Sequence, residues 1–342
     1  MLIPTTTPAA TDSAEFKNRI KRFGDTNAAI RREVGKVIVG QEEVIDHVLI
    51  ALFVGGHCLL TGLPGTAKTL LVRTMARTLG LKFNRIQFTP DLMPSDITGT
   101  DIIEEDSASG RRLWTFIPGP IFSNVLLADE INRTPPKTQS ALLEAMQESS
   151  CTVRGNHYRI SSPFFVLATQ NPIELEGTYP LPEAQLDRFL FNTVLDYLHA
   201  DDELRVVDLT TNTTLPEAET VTNVEEILDY QNLIRMTPVA ESVAKHAIDV
   251  VRATRPGGEA PDFVNKYVNF GASVRAAQFL VLAGKVRALM HGRFHVAYED
   301  IRALAAPILR HRVLLNFHAE SDRVNSDEIV RRVLEWKGVP RG

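Results

Sequence analysis

Residues His57-Cys58-Leu59-Leu60-Thr61-Gly62-Leu63-Pro64-Gly65-Thr66-Ala67-Lys68-Thr69 constrain the fold more than any other stretch of this chain. A short apolar run ends in a Gly-rich turn, and Lys-Thr then opens a helical pattern that continues through Leu70. Strand, loop and helix in that order are what a phosphate-binding loop requires. Backbone N–H groups of the loop and of the first helical turn point at an anion, and the helix dipole adds to the attraction. Lys68 is placed to reach the outer phosphates of a nucleotide, and the Thr69 hydroxyl to hold Mg²⁺. Such loops usually have glycine directly before the lysine, where this chain has Ala67.

Three further features fall into step with that loop. Val125-Leu126-Leu127-Ala128-Asp129-Glu130 is an apolar run ending in two carboxylates. In a parallel sheet its end lies at the same edge as the loop. Hydrolysis of a bound nucleoside triphosphate needs two acidic roles there: Asp129 to hold Mg²⁺ or its waters, and Glu130 to orient and deprotonate the attacking water. Phe164-Phe165-Val166-Leu167-Ala168-Thr169-Gln170-Asn171-Pro172 repeats the pattern, and Asn171 is placed where an amide can orient water. Charge developing on the γ-phosphate calls for cations beyond Lys68, for which Arg133, Arg188 and Arg275 are the candidates.

Along the chain, strands alternating with helices predict a three-layer α/β core with a parallel sheet. From Ala200 onward the patterns are helical, which predicts an all-helical second domain. The expected boundaries are a disordered tail over 1–14, a core over 15–198 and a helical lid over 199–342. In detail, helices are expected over 15–37, through Val44, Val48 and Leu52, and over 70–79. Thr134 is expected to cap a helix with Pro135 in its first turn. Cys151 to Ile160 is expected to form a hairpin turning at Gly155-Asn156. Thr222 with Glu225 is expected to form a capping box.

A length of 342 residues suits about two domains. The net charge of −5 argues against a nucleic-acid surface. Two cysteines, Cys58 and Cys151, stand in no metal-binding spacing and predict a reducing compartment. The N-terminus has no secretory pattern, and the longest apolar run, Val48 to Val54, is too short to span a bilayer. A cytoplasmic protein without direct membrane insertion is expected.

The chain resembles the MoxR-type AAA+ ATPases. The resemblance runs over about 38–320, through Val39-Gly40-Gln41, the phosphate loop, and Phe88-Thr89-Pro90-Asp91-Leu92-Met93-Pro94-Ser95-Asp96-Ile97-Thr98-Gly99. It continues through Asp129-Glu130-Ile131-Asn132-Arg133-Thr134-Pro135-Pro136-Lys137, Thr169-Gln170-Asn171-Pro172, the block from Glu176 to Phe189, and Gly271-Ala272-Ser273-Val274-Arg275-Ala276. The resemblance implies a P-loop AAA+ core followed by a helical lid, and a hexameric ring with ATP and Mg²⁺ between subunits. It implies that Gly62, Pro64, Gly65, Thr66, Ala67, Lys68, Thr69 and Leu70 bind nucleotide, with Val39, Gly40 and Gln41 near the adenine. It matches Asp129 and Glu130 to the Walker B motif, Asn171 to sensor 1, Arg188 to the arginine finger and Arg275 to sensor 2. The segment 89–120 resembles an insert that faces the pore or partner in related ATPases. Val274 stands where the family often has proline. The implied activity is chaperone-like remodelling of protein clients, assembling or metallating complexes with a von Willebrand factor A-domain partner. The motor subunit of a chelatase-type complex, a nucleic-acid motor or loader using Arg154 and His157, and a nucleotide-gated scaffold are the alternatives.

Overall fold

The computed structural model describes residues 14–63, 65–105, 112–171, 177–212 and 216–338. The expected tail falls almost wholly on 1–13, outside the described residues, as do Pro64 and 172–176. Two helices, α1 (Ala14–Gly35) and α2 (Glu42–Val54), precede the first strand, β1 (Cys58–Gly62). Then come α3 (Lys68–Thr78), β2 (Phe83–Gln87), α4 (Pro94–Thr98), and the antiparallel pair β3 (Gly99–Glu105) and β4 (Arg112–Pro118). β5 (Val125–Asp129) leads through a short turn into α5 (Pro136–Glu148), the pair β6 (Ser150–Val153) and β7 (Asn156–Arg159), β8 (Phe165–Gln170), α6 (Glu183–Leu186) and β9 (Phe191–Leu195). The rest is helical: α7 (Ala200–Thr211), α8 (Val224–Met236), α9 (Glu241–Ala253), α10 (Asp262–Tyr267), α11 (Val274–Met290), α12 (Tyr298–Leu309), α13 (Phe317–Ser321) and α14 (Ser326–Lys337). Within it, β10 (Val268–Phe270) and β11 (Leu314–Leu315) form one antiparallel pair, too short to leave a periodic trace in the sequence.

Five strands make a parallel sheet in the order β2-β5-β8-β1-β9. Side chains alternate between its faces. Cys58, Leu60, Val125, Leu127, Phe165 and Leu167 point to one face and join a core shared with α1, α2, α3 and the C-terminal helices. Leu59, Leu126, Ala128, Val166 and Ala168 point to the other, against Leu142 and Met146 of α5. Burial on both faces explains why β5 and β8 read as unbroken apolar runs. Phe23 of α1, Phe53 of α2 and Tyr230 of α8 meet edge-to-face, their rings 5.0 to 6.1 Å apart. The first two helices are thereby packed against the helical C-terminal region as well as the sheet. Among the described residues, no helix is long and apolar enough to cross a membrane.

Several local expectations shift by a residue, for identifiable reasons. Pro135, not Thr134, precedes α5, and the Thr134 hydroxyl instead donates to the Thr89 carbonyl at 3.0 Å. The hairpin of β6 and β7 turns at Arg154-Gly155, both with positive φ, the geometry that two-residue hairpins favour because it matches strand twist. Asn223 caps α8, its side chain accepting from the Glu226 N–H, while Thr222 donates to the Glu226 carboxylate at 2.8 Å. Cys58 and Cys151 are both buried and free.

Beside the sheet, His57 Nε2 donates to the Met146 carbonyl at 3.0 Å and Nδ1 accepts from the Val166 N–H at 3.1 Å. Burial pushes its pKa down to about 4. His47 is also pushed down to about 4, by burial and then by the charge of Arg310. An unfolded imidazole titrates near 6.5, so below that pH the unfolded chain binds more protons than the folded one. This contribution to stability is complete above pH 6.5 and is lost as pH falls towards 4. Acidification from about pH 7 to about pH 5 is expected to cost about 2 kcal/mol for each of the two histidines. Urea titration at both pH values checks this, and His57→Gln should remove that residue's share of the slope.

Candidate active site

The phosphate loop leaves β1 at the carboxyl edge of the sheet. Gly62 is required there by close approach: a Cβ on it would lie 2.7 Å from both Cβ and O of Leu195 on β9. Ala67, just before α3, is held in the left-handed region at φ 58°. This accounts for the glycine usually found at that position, since a side chain there costs about 1 kcal/mol. The loop is tied by the Thr66 hydroxyl donating to Leu63 O at 2.9 Å and by Gln41 Nε2 donating to Thr66 O at 3.1 Å. Lys68 folds over it, its Nζ donating to Gly62 O at 2.6 Å and Leu63 O at 2.9 Å. Partial burial lowers the Lys68 pKa, opposed by the carboxylates of Asp129 and Glu130.

Two adjoining hollows meet on this loop. One, of about 440 Å³, is lined by Gly65 to Leu70 together with Asp129, Glu130, Thr169 and Asn171. The other, of about 400 Å³, shares Gly65, Thr66, Ala67 and Leu70 and is otherwise mostly apolar, with Val37, Ile38, Val39, Val206 and Val207 in its walls. Gly40 and Gln41 lie beside it. The polar half suits a triphosphate with a divalent cation, and the apolar half a flat base. Thr69 and Asp129 offer hard oxygen donors in the polar half, the chemistry that Mg²⁺ selects.

The carboxylates are held more elaborately than the sequence suggests. Asp129 is 8% exposed, and its Oδ1 accepts from the Thr169 hydroxyl at 2.6 Å. The same hydroxyl accepts from the Glu130 N–H at 2.8 Å, so one side chain fixes both acids. Asp129 Oδ2 accepts from Arg85 Nε at 3.2 Å and Nη2 at 2.7 Å. Glu130 sits in the left-handed region at φ 57°, and its Oε2 accepts from Gln87 Nε2 at 2.8 Å and from Arg133 Nε at 3.1 Å. Thr169, Arg85 and Gln87 are functional candidates that sequence reasoning missed. The available signal was a hydroxyl at the end of a buried strand, and two long polar side chains on the edge strand β2.

Of the three candidate arginines, only Arg133 lies beside the carboxylates of its own chain. Arg188 and Arg275 are at the opposite side of the sheet. Cys58 pairs with Phe191 and Gly62 with Leu195, so Arg188, before β9, belongs at the amino edge. The Leu190 N–H donates to His57 O at 2.7 Å, which sets the level of this segment about five residues, or roughly 17 Å, below Gly62. Arg188 Nη1 donates to the Leu143 carbonyl, and Arg275 Nη1 lies 3.5 Å from Asp187 Oδ2. Arg154, a residue of the nucleic-acid alternative, stacks over the Trp114 ring at 4.7 Å.

A phosphate loop and an acid pair on this sheet, with a helical region after it, define an ATPase of the AAA type. Residues 57–191 match the model of the ATPase family associated with various cellular activities, and 262–333 match the AAA lid domain. A crystal structure of a candidate ATPase from Cytophaga hutchinsonii superposes with a TM-score of 0.89 at 41% identity, covering 97% of this chain and 100% of that one. Chaperone MoxR1 of Mycobacterium tuberculosis is 42% identical over 310 residues, 90% of this chain and 81% of that protein. Protein MoxR of Methylorubrum extorquens is 32% identical, over 92% of this chain and 96% of that protein. The chain belongs to the MoxR family of AAA+ ATPases.

The Thr169 hydroxyl yields a test of the acid pair's support. Thr169→Val leaves a buried carboxylate oxygen and the Glu130 N–H without this partner and is expected to destabilise the fold by about 2 kcal/mol. Thr169→Ser should recover most of the loss, and denaturant midpoints of the three proteins decide it.

Proposed function

We propose that this chain is an ATP-driven, chaperone-like remodeller that works as a homo-oligomeric ring, a hexamer, with nucleotide at each subunit boundary. In this reading 15–198 is the nucleotide-binding core and 199–342 the lid. Its clients are protein complexes that it assembles or matures, metallation included, with a von Willebrand factor A-domain protein as partner. Support for the chaperone class comes from the Mycobacterium tuberculosis relative named as one. Support for a shared site comes from one observation: a cleft with phosphate loop and acid pair at one sheet edge, and Arg188 and Arg275 at the other. No single subunit brings these halves together, whereas a head-to-tail ring does.

Residue roles follow from chemistry. Lys68 and the loop N–H groups bind the phosphates, while Val39, Gly40 and Gln41 border the base. Thr69 and Asp129 would hold Mg²⁺, which would supply positive charge against the phosphate oxygens. Glu130 takes the proton of the attacking water, Asn171 orients that water, and Arg133 holds the Glu130 carboxylate by the contact described above. Arg188 and Arg275 of one subunit stabilise the charge developing on the γ-phosphate bound by the next. The reaction takes place in the cytoplasm.

Turnover per subunit is expected to rise with protein concentration until rings are complete. Glu130→Gln should retain ATP and lower turnover by roughly 10²–10⁴-fold. Affinity capture on that variant with ATP, followed by mass spectrometry, should recover a von Willebrand factor A-domain protein. Concentration-independent turnover would refute the shared site, and DNA-stimulated turnover with salt-dependent DNA binding would point to a nucleic-acid motor instead.

A further inference from the structure

The segment that carries Arg188 is fastened to the C-terminal helices by one buried guanidinium. Arg312 follows α12, and its side chain is 2% exposed. Its Nε donates to Asp187 Oδ1 at 2.7 Å, and its Nη2 donates to the carbonyls of Asp187 at 3.0 Å and Phe189 at 2.6 Å. Its Nη1 donates to the carbonyls of Leu190, at 3.3 Å, and Ile308. Its plane also rests on Phe279 of α11, 5.1 Å from the ring centre. One planar cation therefore ties three carbonyls of the 187–190 backbone to two lid helices.

The second oxygen of Asp187 faces the start of α11. Ser273 Oγ donates to it at 3.3 Å, and Arg275 is paired with it at 3.5 Å. Ser273 also caps α11, accepting from the Arg275 N–H at 3.2 Å. One carboxylate thus touches the helix cap and the side chain of Arg275, and it directly precedes Arg188 in the chain. The carboxylate lies between the guanidinium groups of Arg312 and Arg275 and offsets the repulsion between them.

We propose that Asp187 and Arg312 are positioning residues that present Arg188 and Arg275 as one unit to the neighbouring subunit's nucleotide. This rests on the reading that both arginines act across the subunit boundary. It means that a lid movement cannot withdraw Arg275 without also moving the segment of Arg188. In this reading neither Asp187 nor Arg312 touches substrate: Asp187 acts on Arg275 directly, and Arg312 acts through Asp187 and the backbone on either side of Arg188.

The test is steady-state ATP hydrolysis by the full chain. Asp187→Asn keeps the shape of the side chain and removes its charge. It is expected to lower kcat about tenfold, with KM for ATP changing less than about twofold. Combining it with Arg275→Ala should lower kcat no further than the more severe single change, because both break one unit. Mixed rings separate presentation from a fault within the cleft. Asp187→Asn subunits keep a sound cleft, and Lys68→Ala subunits keep a sound pair of arginines, so mixing the two should restore activity above that of either alone. Ser273→Gly, which costs the helix cap little, serves as the second variant if Asp187→Asn does not fold. It should show the same loss in kcat, smaller in size, and the same recovery on mixing. Unchanged kcat in the folded variant, or losses that multiply in the double variant, would overturn the proposal. So would recovery with Arg188→Ala plus Lys68→Ala but not with Asp187→Asn plus Lys68→Ala. No recovery even in the Arg188→Ala mixture would instead sink the shared-site reading.

Discussion

A parallel sheet buried on both faces can carry charge only where its strands end, and the rest of this structure depends on that. The interiors of β1, β5 and β8 are apolar because helices cover both sides. Polar groups are therefore gathered at the carboxyl edge, where Gly62 releases the phosphate loop, Asp129 ends β5 and Asn171 follows β8. Within that edge, strand order decides which groups meet. β5 and β8 are neighbours, so the Thr169 hydroxyl reaches both acids, and β8 and β1 are neighbours, so the loop faces them.

Gathering charge in this way costs backbone strain, which hydrogen bonds offset. Ala67 and Glu130 both sit at positive φ, on either side of the cleft. Each such residue stores about 1 kcal/mol or more and persists only because its surroundings over-determine it. For Glu130 those surroundings are its N–H bond to Thr169 and its carboxylate contacts with Gln87 and Arg133. β2 is an edge strand, and through Arg85 and Gln87 it holds both acids while its end leads towards α4 and the β3–β4 pair.

The amino edge is organised differently. There the backbone before β9 is held by Arg312, reaching across from the helical region, and Asp187 links it to Arg275. Both edges therefore carry paired charges: Asp129 with Arg85 and Glu130 with Arg133 beside the phosphate loop, and Asp187 with Arg312 and Arg275 at the other end. About 17 Å of strand lies between the two edges, so Arg188 and Arg275 stand well away from the acid pair of their own chain.

Much of the fold was legible in the sequence because local chemistry sets it. The apolar runs ending at Asp129 and Gln170, the glycine turn before Lys68 and the helical region from Ala200 onward follow from burial, chain flexibility and side-chain periodicity. Where the helix start was ambiguous, side-chain hydrogen bonds decided it: Thr134 is drawn to the distant Thr89 carbonyl, and Thr222 to the Glu226 carboxylate four residues on. Lys68, Thr69, Asp129, Glu130 and Asn171 could be singled out because each follows a recognisable run. Thr169, Arg85, Gln87 and Arg312 could not, since a hydroxyl or a guanidinium announces no partner until strands and helices are laid side by side. The chain by itself determined which residue types end its strands and that a phosphate loop opens α3. Only the tertiary structure decided that Arg188 and Arg275 stand across the sheet from that loop, because strand direction and order, not spacing in sequence, set the distance between them.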